Sequence, residues 1–121
     1  MTNALNWFEI PASDIERAKK FYNRIFEIEL IPMEAMEGFQ MGMFPAEDGV
    51  SGGIIQGEGY QPSTEGSLIY LNAGDDLNNV LNRVEAAGGQ VVLPKTSIGE
   101  NGFMAYFIDS EGNRVGLHSM G

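Results

Sequence analysis

Asp109-Ser-Glu-Gly-Asn-Arg-Val-Gly-Leu-His118 reads as a tight turn delivered straight into a short strand. Gly112 and Asn113 supply the backbone freedom the turn needs, because both residue types tolerate positive φ. Beyond it, Val115 and Leu117 alternate with Arg114, Gly116 and His118. A period of two sends those sets to opposite faces of a strand, so His118, the chain's only histidine, lies on the face that does not carry the apolar pair.

Upstream of the turn, residues 103–108 and a run beginning at 91–93 are extended and apolar. Ahead of these, residues 75–87 place Leu77, Val80, Leu81 and Val84 at helical spacing, with Gly88-Gly89 as a stop signal, and residues 68–73 read as a strand. The first half of the chain has the same order. Residues 3–11 alternate as a strand closed by Pro11, and Ser13 or Asp14 caps a helix, with Glu16 at capping-box spacing from Ser13. Ile15, Ala18, Phe21, Tyr22, Ile25 and Phe26 form its apolar stripe, opposite a solvated face of Glu16, Arg17, Lys19, Lys20 and Asn23. Extended segments at 28–33, 38–44 and 50–56 follow, separated by Gly- and Asp-rich turns. Strand, helix and three strands thus occur twice at an offset of roughly 61 to 63 residues, with Asp14 echoed by Asp76, Phe44 by Phe107, Gly49 by Gly112 and Gly53 by Gly116.

The expected fold is α+β: duplicated βαβββ modules forming a cup-shaped curved mixed sheet with the helices outside. One domain, 1–121, comprises a first module at 1–57, a polar aperiodic linker at 58–66 and a second module at 67–121. If Phe8, Ile10, Ile69, Leu71, Val115 and Leu117 face the helices, the cup face receives Trp7, Glu9, Leu68, Tyr70, Asn72, Gly116 and His118.

Composition narrows the partners. A net charge of −10 with only seven basic residues disfavours nucleic acid and anionic membrane. The absence of cysteine removes disulfides, thiolate catalysis and zinc–cysteine sites. No window approaches a membrane span and no basic-then-apolar leader opens the chain, so a cytoplasmic protein is expected.

The chain resembles the vicinal oxygen chelate superfamily, which includes glyoxalase I, bleomycin-resistance proteins and extradiol dioxygenases. The resemblance rests on Ser13-Asp-Ile-Glu-Arg-Ala-Lys-Lys-Phe-Tyr22, Val84-Glu-Ala-Ala-Gly-Gly89 and Phe107-Ile-Asp-Ser-Glu-Gly-Asn-Arg-Val115, the last close to the family's Asp-Pro-Asp-Gly-Asn turn. The superfamily's metalloenzymes hold a divalent cation through a His or Glu on each of four strands. Those positions fall here on Trp7, Gly53, Leu68 or Ile69, and Gly116, none of which coordinates through its side chain. No metal and no cofactor is therefore expected.

Glu9 and His118 each lie two residues along a strand from a vacated ligand position, which makes them the candidate acid/base pair. Trp7, Tyr70, Asn72, Gly53 and Gly116 are the candidate ligand-binding residues, with Phe39, Met41 or Met43 as further apolar wall and the glycines leaving the floor open. The resemblance implies a protein that binds a small apolar or aromatic molecule without metal, as the bleomycin-resistance branch does. The alternative is a lyase or isomerase, similar to lactoylglutathione lyase, using Glu9 and His118. A small-molecule ligand and a homodimer are the expected partners.

Overall fold

The computed structural model describes residues 3–121, so residues 1 and 2 of the expected first module lie outside the described residues. Strand β1 (Trp7–Pro11) leads into helix α1 (Ile15–Phe26), and β2 (Ile31–Met33), β3 (Gln40–Met43) and β4 (Ser51–Gln56) follow. The order repeats as β5 (Tyr70–Asn72), α2 (Asn78–Leu81), β6 (Gln90–Ser97), a single 3₁₀ turn (Gly99–Asn101), β7 (Phe103–Ile108) and β8 (Arg114–Ser119). The two four-stranded sheets have the same plan: β1-β4-β3-β2 and β5-β8-β7-β6. In each, the first and last strands of the half run parallel and the remaining pairs antiparallel. This is the duplicated βαβββ architecture.

One face of each sheet feeds a shared core. Ile10, Leu71, Val115 and Leu117 are buried in it, with Phe8 and Ile69 packed against it, as the alternation requires. The α1 stripe of Ile15, Ala18, Phe21, Tyr22 and Ile25 enters the same cluster. There Phe21 meets Phe107 of the second half with ring centroids 5.9 Å apart.

The second helix is shorter than its apolar spacing predicts. Only Asn78–Leu81 is α-helical, and the backbone continues to Gly88 through i→i−3 bonds such as Arg83 N–H to Val80 O (3.0 Å) and Val84 N–H to Leu81 O (3.1 Å). Asn78, Asn79 and Asn82 are weak helix formers, and the tighter turns still bury Leu77, Val80, Leu81 and Val84.

The entry to α1 departs from the expected capping box. Asp14 is the cap, accepting from Arg17 N–H at 3.2 Å, but Glu16 does not reach back. Glu111, from the terminal turn, takes that place: its Oε1 accepts from the N–H groups of Ser13 (2.9 Å) and Asp14 (2.8 Å), and its carboxylate pairs with the Arg17 guanidinium at 2.7 and 3.1 Å. Arg17 therefore belongs to a tie between the halves and not only to a solvated face. Burial alone would raise the Glu111 pKa, but Arg17, the two amides and the Ser110 hydroxyl outweigh it and hold the carboxyl below its ordinary value. A carboxyl depressed in the folded state adds stability above the unfolded carboxylate range, near pH 4.3, and loses it as pH falls through the folded value. Glu111→Gln is expected to lower the melting temperature at pH 7 by about 4 °C. The gap should close on acidification; calorimetry showing a gap independent of pH would remove the ion pair as its cause.

Candidate functional site

Away from the core, each sheet presents a second face. On the first sheet Glu9 stands opposite Gly53 and Trp7 opposite Ser51. Met41 faces Ile55 on the adjoining ladder, and Ile55 is buried on this side, outside the shared core. Glu9 is half-buried and both its oxygens are engaged: Tyr60 OH donates to Oε1 at 2.7 Å and Trp7 Nε1–H to Oε2 at 3.3 Å. The hydrogen bond to Glu9, with some burial, holds the Tyr60 phenol above its ordinary pKa, so it stays a donor. Tyr60 comes from the aperiodic stretch between the halves, and its ring meets Phe39 edge-on at 5.9 Å. Gly57 permits this arrangement, because a Cβ there would lie 1.9 Å from the Phe39 ring.

The result is a cavity of about 580 Å³ lined by Glu9, Glu34, Ala35, Met36, Phe39, Met41, Ile55 and Tyr60. That volume lies within the range of small-molecule sites. On its other side Glu9 borders a smaller cavity of about 210 Å³, shared with Gln61, Ser63, Asn113 and Arg114 among others.

On the second sheet Tyr70 stands opposite Gly116 and Asn72 opposite His118. Tyr70 OH and Tyr106 OH are 2.9 Å apart, and the Arg114 guanidinium lies over the Tyr106 ring at 5.5 Å. His118 Nε2 bonds the Asn101 carbonyl at 2.7 Å, and the Asn72 side chain accepts from Gly74 N–H at 2.9 Å, closing its own turn. Glu9 and His118 share neither a hydrogen bond nor a lined cavity.

The glycines leave less room than expected. A Cβ on Gly116 would lie 2.7 Å from the Tyr70 ring, and one on Gly53 would lie 3.2 Å from Met41 Cγ. Tyr70 and Met41 thus cover the floor that the missing side chains would have occupied.

A family model described as the Glyoxalase/Bleomycin resistance protein/Dioxygenase superfamily matches residues 4–117. The chain belongs to this superfamily. It is 31% identical to CFP32 of Mycobacterium bovis, named as a glyoxylase, over 93% of this chain but 44% of that one, so it spans less than half the length of that relative. A glyoxylase-like domain-containing protein of Didymella fabae is also 31% identical, with 90% of this chain and 88% of that one covered. Among solved structures, a glyoxalase/bleomycin resistance protein from Albidiferax ferrireducens superposes with a TM-score of 0.69 at 24% identity, covering 95% of this chain and 98% of that one. The fosfomycin resistance protein FosX from Listeria monocytogenes gives 0.67 at 18%, covering 98% and 92%. At these identities the structural likeness is one of fold.

Within the superfamily frame, the vacated positions Trp7, Gly53, Leu68 or Ile69 and Gly116 offer no side-chain ligand. The residues paired beside the two glycines, Glu9 and Tyr70, add one carboxylate and one phenol. Among the described residues no three His, Asp or Glu side chains gather as a ligand set. These donors do not fit the four-ligand arrangement of the superfamily's metalloenzymes.

The signature turn itself holds structure together. Asp109 is buried and accepts from Tyr22 OH (2.7 Å), Glu111 N–H (2.9 Å), Asn113 N–H (2.9 Å) and Asn113 Nδ2–H (3.0 Å). Asn113 also donates to Pro11 O at 2.7 Å and accepts from Ser63 N–H at 3.1 Å. The turn therefore binds the first helix, the end of β1 and the inter-module segment to the last strand.

Proposed function

We propose that this superfamily member binds a small aromatic or apolar molecule in the cavity beside Glu9, using its own side chains and no metal. The observation that carries the reading is the lining. Phe39, Met36, Met41, Ile55 and Tyr60 form an apolar and aromatic wall around one oriented carboxylate, the usual composition of a small-molecule site. Thioether side chains adapt to ligand shape, which suits binding over chemistry. The acid/base alternative has less support, since Tyr60 and Trp7 hold Glu9 while the Asn101 carbonyl holds His118.

Methyl-labelled methionine provides a local test. Titration with 1-naphthylmethanol should shift the Met36 and Met41 resonances saturably, and Phe39→Ala should weaken binding about tenfold by removing one aromatic wall. Shifts confined to Met104, on the other sheet, would place the ligand elsewhere and defeat the proposal.

A further inference from the structure

We infer that the ligand of this cavity is an organic cation, a protonated amine or quaternary ammonium carried on an aromatic or apolar body; the inference rests on the cavity being a ligand site. Two of its lining residues are carboxylates, Glu9 and Glu34, and none is Lys, Arg or His. Glu9 is half-buried, yet both donors it receives, the Tyr60 phenol and the Trp7 indole, are neutral. Each carboxylate oxygen offers two acceptor sites, so each retains one.

Six of the chain's seven Lys and Arg side chains are engaged elsewhere, and the seventh, Lys20, is exposed on α1 and lines neither cavity. Arg17 pairs with Glu111, Lys19 with Glu16, Arg83 with Glu27 and Lys95 with Asp76. Arg24 donates to the Ala86 carbonyl at 2.9 Å. Arg114 borders the smaller cavity on the far side of Glu9, but its guanidinium lies over Tyr106 and forms no ion pair with Glu9 among the described residues.

A half-buried carboxylate facing an apolar cavity without a counter-charge is stabilised by a cation that brings its own. The rest of the wall suits the same guest. The Phe39 and Tyr60 rings offer π faces to an ammonium group, and the methionine sulfurs are polarisable. An anionic ligand would meet two carboxylates and a chain of net charge −10.

Three probes of one shape separate charge from fit: 1-naphthylmethylammonium, neutral 1-naphthylmethanol and anionic 1-naphthoate, each titrated by calorimetry. The ammonium is expected to bind about tenfold more tightly than the alcohol at low salt, with naphthoate weakest. High salt should narrow the difference. Glu9→Gln should remove most of the ammonium's advantage over the alcohol, lowering ammonium affinity more than alcohol affinity. Glu34→Gln, on an exposed residue that carries no fold, should reduce the preference about threefold.

Equal binding of ammonium and alcohol to the native chain overturns the cation inference, while saturable Met36 and Met41 shifts with the alcohol would still uphold the cavity. An ammonium preference that survives both substitutions overturns it as well. If neither probe binds, the cavity reading fails and the charge preference fails with it.

Discussion

Asp109→Ala is expected to lower the unfolding free energy by about 3–5 kcal/mol, with the urea midpoint falling and the slope unchanged. Asp109 is 3% exposed, and its carboxylate accepts four hydrogen bonds, two on each oxygen. Without it, the Tyr22 hydroxyl and the Glu111 and Asn113 amides lose that acceptor, in a place where Tyr22 is fully buried and water is excluded. Asn113 Nδ2 keeps its bond to Pro11 O, so the turn should loosen before the β1 end is released. Asp109→Asn distinguishes lost hydrogen bonds from lost volume. Its amide oxygen can serve the two backbone N–H groups, but its NH₂ would oppose Asn113 Nδ2, giving an intermediate loss. Equal, small losses for both substitutions would show that the turn is held by its neighbours' packing instead.

That network explains what the sequence could and could not disclose. Local patterns were sufficient for the repeat, for α1 and for the sorting of strand faces, because each rests on spacing within a few residues: Phe8 and Ile10 against Trp7 and Glu9, or Val115 and Leu117 against Gly116 and His118. The partners that complete the ties are remote. Glu111 replaces the Glu16 of a capping box from 97 residues away from Asp14, and no local rule brings them together. Tyr60, which orients Glu9, lies in a stretch with no period, and its distance from Glu9 in the chain is 51 residues. Glycine misled for a different reason. Absence of a Cβ at positions 53 and 116 predicts an open floor, but space without a side chain is available to any neighbour, and Met41 and Tyr70 take it. Of the cavity lining, Glu9, Phe39 and Met41 are legible from strand alternation and composition, Tyr60, Glu34 and Met36 are not, and Tyr70, Asn72, Gly116 and His118, grouped with them by the sequence, stand on the second sheet. The separate engagement of Glu9 and His118 could emerge only from the folded sheets.

Gly88 and Gly89 show the same distinction between conformation and space, and the second carries the larger expected effect. Gly88 has φ of +109, and a Cβ on it would meet nothing within 4 Å, so Gly88→Ala should cost only the backbone term of about 1–2 kcal/mol. Gly89 has no such backbone demand. A Cβ there would lie 2.6 Å from the Ile108 carbonyl oxygen, 2.8 Å from Phe21 Cε1 and 2.9 Å from Val84 Cγ1. Phe21 and Val84 are fully packed core residues and Ile108 is ladder backbone, so none of the three can retreat without disturbing the contact between α1 and the second sheet. Gly89→Val is accordingly expected to cost about 3 kcal/mol or more in denaturant unfolding, exceeding Gly88→Ala. Shortening the neighbour in Phe21→Leu should recover part of that loss, giving a non-additive double-mutant cycle, but only part, because the Ile108 oxygen remains. Additive losses, or a Gly89→Val cost below that of Gly88→Ala, would mean that the junction has slack, and with it that the two modules are not locked against each other at this point.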